Sequence, residues 1–340
     1  MLDDFTPLDR RLLDDFQRDL PAIAQPFEWI AARLGVSEGE VIDRLTDLRE
    51  RGAITRVGAT VRPNTAGAST LAALAVPQAR LEEVAAQVGA HDEVNHSYLR
   101  ENDWNLWFVV TASDPAHLQA TLDEIGQETG LTVLDLRLKR PFNIDLGFAI
   151  GGGGHRPMTR QDIDLGALRE DDRPLLHRLS RGLPLCPRPF AQVAKALGRE
   201  EADVMARTEA LTRAGIISRF GVIVRHRRIG WKQNAMVVWD IPQERMEAAG
   251  TALAALPGVT LCYERQTVPG LWRHGLFSMI HARSRDEAHE VLERARALPE
   301  LRGPELRGPE LRDADHQVLF STRCFKQTGA VLTKSREKVS

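Results

Sequence analysis

Two blocks of this chain carry side chains suited to gripping an acidic ligand and moving a proton. They are HSYLRENDWNLWFVV at 96–110 and CYERQTVPGLWRHGLFSMIH at 262–281. Each reads as strand, turn, strand, and alternate residues of a strand share a face. His96, Tyr98 and Arg100 therefore point one way, as do Tyr263 and Arg265. In the following strands Asn105, Trp107, Val109 and Thr111 share a face, matched by Gly275, Phe277, Met279 and His281. His274 has the opposite parity and joins that face only across a bulge or loop. Histidine titrates near neutrality, and arginine grips carboxylate or phosphate through paired hydrogen bonds. With Arg137, Lys139, Arg140, Arg273, Arg323 and Lys326 nearby, the set suits a flat ligand with many acidic arms. The structural alternative makes Tyr98 and Tyr263 core tyrosines, and Arg137 and Lys139 edge charges that discourage aggregation. His91, His117, His155, His177, His226, His289 and His316 read as loop or helix-surface residues.

The elements that must position these blocks occur twice. Phe27, Leu34, Gly35, Gly52, Gly58 and Gly67 recur 163 residues later as Phe190, Leu197, Gly198, Gly215, Gly221 and Gly230. Repeated glycines and core residues mark a duplicated scaffold. Each copy opens with a helical pattern, then runs helix, glycine, turn, helix, glycine, and closes in a two-stranded wing. That is the pattern of a winged helix-turn-helix, with Ser37 and Glu40 as a capping box. A βαββαβ order follows. In copy one the strands are expected at 69–77, 93–100, 104–112 and 131–140, and the helices at 79–88 and 115–128. In copy two the strands fall at 233–241, 258–266, 272–282 and 316–325, and the helices at 243–255 and 284–297. The fold class is α+β, with two tandem copies of a winged helix-turn-helix followed by a ferredoxin-like domain. The expected boundaries are 1–64, 65–148, a flexible linker at 149–168, 169–228, 229–330 and a tail at 331–340. The helix-free faces of the two sheets should pack together and enclose an aromatic, sulfur-bearing cavity. Leu301–Glu305 repeats at once as Leu306–Glu310, a small loop duplication with no function assigned.

Composition narrows the classes. The 340 residues suffice for several domains, and a net charge of −2 exerts no global pull on nucleic acid or anionic membrane. Apolar runs such as Leu71–Val76 are too short to cross a bilayer. The acidic start (Asp3, Asp4) does not resemble a signal peptide. Cys186, Cys262 and Cys324 lack zinc-site spacing and fit a reducing cytoplasm.

Helix-turn-helix units joined to βαββαβ domains resemble the Lrp/AsnC-type transcription regulators. In such proteins the start of the second helix meets DNA, yet here it carries Glu38 and Glu40, then Glu200, Glu201 and Asp203. Carboxylates there oppose phosphates, so no nucleic-acid partner is expected. Arg44, Arg49 and Arg51, interleaved with acids, read as a solvated face. The two blocks, with the tail KRPFNIDLGF at 139–148, resemble a narrower family, the siroheme decarboxylases of heme d1 and alternative heme biosynthesis. Ser97, Leu99 and His274 depart from that pattern. The resemblance implies removal of the carboxyl groups of two acetate arms of siroheme, giving 12,18-didecarboxysiroheme. It implies His96 and His281, with His274 third, as proton donors or carboxylate-orienting groups, or as ligands to the substrate iron. Tyr98, Arg100, Asn105, Trp107, Tyr263, Arg265, Trp272, Phe277 and Met279 would bind the macrocycle. No cofactor beyond the iron-containing substrate is expected, and the partner would be a second related subunit or another copy. The rival readings are a DNA-binding regulator and a non-catalytic tetrapyrrole sensor.

Overall fold

A computed structural model describes residues 4–143, 163–303 and 314–329. The glycine run at 151–154, most of the 301–310 duplication and the 331–340 tail lie outside the described residues. Copy one opens with α1 (Pro7–Asp15), α2 (Pro26–Leu34) and α3 (Glu38–Glu50), followed by β1 (Ile54–Val61). It continues as β2 (Ala68–Leu74), α4 (Leu81–Ala90), β3 (Val94–Arg100), β4 (Leu106–Ala112), α5 (Pro115–Thr129) and β5 (Leu134–Asn143). Copy two repeats the order with α6 (Asp172–Arg181), α7 (Pro189–Leu197), α8 (Glu201–Arg213) and β6 (Ile217–Val224). Then come β7 (Gln233–Asp240), α9 (Met246–Ala255), β8 (Val259–Arg265), β9 (Leu276–Ala282), α10 (Arg285–Arg296) and β10 (Asp315–Gln327).

The helical halves share one core, in which Leu12, Phe27 and Leu45 of copy one meet Leu175, Phe190 and Leu211 of copy two. The repeated Gly35 and Gly198 end α2 and α7 in the left-handed conformation that costs glycine least. Ser37 caps α3 by accepting from the Glu40 N–H. The arginines of α3 and α8 are more committed than a solvated face implies. Arg44 grips the fully buried Asp9 at 2.7 Å, and Arg207 grips the equally buried Asp172 at 2.5 Å. Each pair ties the first helix of a copy to its third, so these guanidiniums are turned inward.

The expected two-stranded wing within each copy is not what forms. Each copy supplies one strand, and β1 pairs antiparallel with β6 to make a ribbon between the copies. Gly58 and Gly221 face each other across it. The chain after α1 crosses β6, with Val222 N–H donating to the Phe16 carbonyl at 2.8 Å. The end of α6 crosses β1 in the same manner, Leu183 N–H donating to the Val57 carbonyl at 2.7 Å. The approach is close enough that only glycine fits. A Cβ at Gly221 would stand 2.4 Å from the Phe16 carbonyl, and one at Gly58 would stand 2.4 Å from that of Leu179.

The sheets also join differently from a face-to-face sandwich. Within each copy the strand order is β5-β2-β4-β3 or its counterpart β10-β7-β9-β8. The edges then pair across copies, β5 with β8 and β10 with β3, closing an eight-stranded barrel. Strand β10 makes this possible by its length. Its first half pairs with β7 (Asp315↔Asp240 to Phe320↔Ala235), and its second with β3 (Ser321↔Arg100 to Gln327↔His96). Helices cover the outside. The inside is filled by Trp107, Leu134, Leu136, Met236, Val238, Phe277, Met279 and Leu319. Closure leaves the barrel no open edge among the described residues. No helix of the described residues is long and apolar enough to cross a membrane.

Because the ribbon contacts are backbone against backbone, no side-chain rotation relieves an added methyl. Gly221→Ala is expected to lower stability by about 1–3 kcal/mol, read as a lower urea midpoint. An unchanged midpoint would mean that the α1 extension is free to move away from β6.

Candidate active site

The closure of the barrel brings residues from both copies together at the end nearest the helical halves. From β3 come His96, Tyr98 and Arg100; from β7, Asn234; from β8, Thr260; from β9, His281. The connector after β6 adds His226 and Arg227. His96 and Tyr98 are half-buried and stack at 6.3 Å with 12° between their rings. Arg100 is 7% exposed. It donates to the Leu319 carbonyl at 3.1 Å and to Asn234 Oδ1 at 3.2 Å. A guanidinium can only donate, so Asn234 presents its Nδ2 to His281 Nε2, 2.8 Å away. The other nitrogen of His281 lies 2.6 Å from Thr260 Oγ1, whose hydroxyl donates to the Met279 carbonyl at 3.1 Å. The chain of donors fixes His281 as a neutral ring carrying its proton on Nδ1.

Desolvation sets the charge state of the whole cluster. Burial, with Arg56 nearby, pushes His96 down to about 4. Burial, Arg227 and His96 push His226 down to about 4. Burial, His226, Arg100 and Arg227 push His281 well below its ordinary value. Burial also lowers Arg100 to about 10 and Arg56 to about 10. Arg56, Arg100 and Arg227 make no ion pair with any carboxylate of the described residues, and the Nε of each is buried without a hydrogen-bond partner. His96 Nδ1 is likewise buried and unpartnered. A buried cationic cluster with donors left over can receive anions.

The other expected site residues divide into three groups. Trp107, Phe277 and Met279 are 1%, 1% and 9% exposed and fill the barrel rather than line an open cavity. Asn105 turns away from the cluster and spends its amide on Val76, accepting from its N–H at 2.9 Å and donating to its carbonyl at 2.8 Å. Tyr263 and Arg265 sit at the position related to Tyr98 and Arg100 by the internal repeat; Arg265 donates to the Leu136 carbonyl at 2.9 Å. Trp272 and His274 lie at the opposite end of the barrel, in the β8–β9 loop, with their rings 5.2 Å apart. That loop was the condition for His274 to join the first face, and it carries the ring away instead. Its surroundings are a cavity of about 940 Å³ lined by Trp104, Leu271, Trp272 and acidic residues including Glu101 and Asp103.

Most of the basic residues expected to hold acidic arms are neutralised within the protein. Lys139 and Arg140 both reach Glu264, at 2.6 and 2.7 Å. Arg137 pairs with Asp135 at 2.5 Å, Arg273 with Asp315, and Arg323 with Glu82. Lys326 donates to the Gly89 and His91 carbonyls at 2.8 Å. Sequence reasoning missed His226, whose ring meets that of His281 edge-on at 4.8 Å. One signal pointed to it: between their shared Arg and Gly the connectors RPNTAG (62–67) and RHRRIG (225–230) differ at all four positions, with Pro63 against His226 and Asn64 against Arg227 among them. Another signal marked the site as a whole, since Tyr98 and Tyr263 are the only tyrosines in the chain.

Comparison with known proteins follows the same division of the chain. The AsnC-like ligand binding domain family matches residues 66–143 and 228–326, and the siroheme decarboxylase NirDL-like HTH domain family matches 9–54 and 172–217. The siroheme decarboxylase NirDL subunit of Paracoccus pantotrophus is 58% identical over 328 residues, covering 96% of this chain and 98% of that protein. The siroheme decarboxylase NirD subunit of Stutzerimonas stutzeri is 53% identical over 144 residues, 42% of this chain and 95% of that protein. A crystal structure of the siroheme decarboxylase NirDL in co-complex with an iron-uroporphyrin III analogue aligns at a TM-score of 0.64. It has 26% identity and covers 92% of this chain and 90% of the other. The chain belongs to the siroheme decarboxylase family.

Proposed function

We propose that this chain decarboxylates two acetate arms of siroheme to give 12,18-didecarboxysiroheme, and that the reaction takes place beside His96. One observation carries this reading: a cluster of buried and half-buried arginines and neutral histidines whose Arg56, Arg100 and Arg227 pair with no carboxylate of the described residues. A polycarboxylate macrocycle supplies the missing charge. Arg100, Arg227 and Arg56 would receive its non-reacting arms, and their unpartnered Nε groups provide donors for them. Arg100 is aimed by Asn234, which His281 and Thr260 hold in turn, so His281 acts as a positioning residue. The iron belongs to the substrate, and no further cofactor enters the reading.

In each loss the bond between the methylene and the carboxyl carbon breaks. Carbon dioxide departs, and the electron pair stays on a methylene attached to a pyrrole. One proton then completes a methyl group. His96 is the side chain suited to deliver it, being half-buried and stacked on Tyr98 with a free ring nitrogen. Its imidazole is neutral in the free protein, and the arriving carboxylates raise its proton affinity. The reacting arm must face His96 rather than an arginine, since tight ground-state pairing would deepen the well from which CO2 leaves. The three free thiols fit a cytoplasmic setting. The "subunit" in the name of the Paracoccus relative supports a second polypeptide as partner.

Anaerobic incubation with siroheme, followed by mass, should show the loss of two carboxyl groups. His96→Ala should slow it by about 10²–10⁴-fold. Unchanged siroheme held tightly by the wild type would instead identify a sensor. A second expectation concerns pH. The free His96 titrates at about 4 and is raised by the bound carboxylates, so binding takes up a proton between those two values. Affinity should therefore rise as pH falls from about 7 to 5, by up to about tenfold per unit. Titration monitored by tryptophan quenching measures it, and His96→Ala should flatten the slope.

A further inference from the structure

At the end of the barrel opposite the His96 cluster, the two copies differ in loop length. The β3–β4 loop of copy one has five residues, 101–105, and the β8–β9 loop of copy two has ten, 266–275. Their bases match, since Arg100 N–H donates to the Asn105 carbonyl as Arg265 N–H donates to that of Gly275, both at 2.8 Å. The extra residues of copy two therefore lie within the loop, and copy one closes the same strand pair without them. They are held in shape: Val268 and Trp272 exchange backbone hydrogen bonds of 2.8 Å, and Gly270 turns the chain at a φ of 77°. With the shorter loop they form the cavity of about 940 Å³, a size that takes a small ligand.

Two features of that cavity point to a ligand. His274 is 3% exposed, and neither of its ring nitrogens has a hydrogen-bond partner, although buried polar groups are almost always paired. Burial, with Arg273 nearby, pushes the imidazole down to about 4, so the ring is neutral at neutral pH and one of its nitrogens is an acceptor. The second feature is charge. Arg273, the one cation lining the cavity among the described residues, is taken by Asp315 and Asp240. Glu101 is taken by Arg285 at 2.7 Å. Asp103 lines the cavity, is exposed, and pairs with no described residue. One negative charge is thus left over, beside the indoles of Trp104 and Trp272 and a Leu271 side chain that is 49% exposed. Indole faces attract cations.

We propose that this cavity binds a small organic cation, a primary ammonium group carried on an apolar body. Asp103 offsets its charge, and a small turn of the His274 ring lets the acceptor nitrogen take one ammonium N–H. Trp104, Trp272 and Leu271 cover the apolar part. A polycarboxylate would meet Asp103 there with no free guanidinium to offset it. The cationic His96 cluster, in turn, would repel an ammonium ion. The two ends of the barrel therefore select opposite charges.

Calorimetric titration of the full-length protein with phenethylammonium, phenethyl alcohol and phenylacetate tests this, the three probes sharing a shape and differing in charge. The ammonium should bind, and the other two should be weaker by about tenfold or more. Asp103→Asn and His274→Phe should each weaken the ammonium by about the same factor, while His96→Ala should leave its affinity unchanged. His274→Gln, which restores an acceptor, should recover part of the loss, and circular dichroism verifies the fold of every variant. Equal binding of the alcohol would reduce the cavity to an apolar cleft, and tighter binding of phenylacetate would reverse its charge preference; either result overturns the site. So would no binding of the ammonium at millimolar concentration, or wild-type affinity in either Asp103→Asn or His274→Phe. Loss of binding in His96→Ala would place the ammonium at the other end of the barrel and overturn it equally.

Discussion

The structure depends on one constraint, the satisfaction of four exposed strand edges. Each four-stranded sheet ends in β3 or β8 on one side and β5 or β10 on the other, and an open edge is a row of unmet backbone donors and acceptors. Pairing β5 with β8 and β10 with β3 satisfies them at once. It also determines which residues can meet. His96 belongs to copy one and His281 to copy two, and they share a site because β10 carries the β7 edge of one sheet into the β3 edge of the other. The ribbon of β1 and β6 does the equivalent for the connectors, delivering Arg56 from one copy and His226 from the other. Neither half could build this site alone.

Closure also sets the electrostatics. Once the barrel is shut and the helical halves are docked against its end, the side chains of the cluster lose water. Histidine responds by staying neutral, whereas arginine keeps its charge even when burial lowers it to about 10. The site is then cationic without being acidic. It can attract carboxylates before it holds the proton that the reaction needs. On the reading proposed above, the proton is drawn from solvent as the ligand binds, because the ligand's charge raises the imidazole's basicity.

Much of this was legible in the sequence where local physics decides. The repeated glycines, the helix periodicity and the strand alternation located the elements to within a few residues, and β4 put Trp107 on the inner face. The expectations that changed depend on partners distant along the chain. A strand such as β1 carries no mark saying whether its mate lies in its own copy, so a wing was expected where a ribbon between copies forms. Asn105 has the parity of a site residue, but its position at the strand's start places it beside Val76. His226 sits in a connector, where alternation gives no direction, and only the ribbon aims it at His281. The basic residues at the sheet edges met acids from neighbouring elements that composition cannot locate, as Lys139 and Arg140 met Glu264.

The helical halves show how a regulator-like scaffold can be kept while its charges are redirected. In the third helix of each copy the arginine that could face a phosphate is turned inward to a buried aspartate, Arg44 to Asp9 and Arg207 to Asp172. Removing the arginine of either pair strands a fully buried aspartate at a cost of about 3–5 kcal/mol, so these guanidiniums are not free to swing out to another anion. The first turns of the same helices carry Glu38, Glu40, Glu201 and Asp203, which favour the helix dipole and oppose a polyanion. At the barrel end β1 and the connector hold Arg56 and Arg227 close to His96 and Tyr98, and neither pairs with a carboxylate of the described residues. The repeat thus preserves one frame in both copies, while the arginines of the third helices are held by buried aspartates and those at the seam between ribbon and barrel are not.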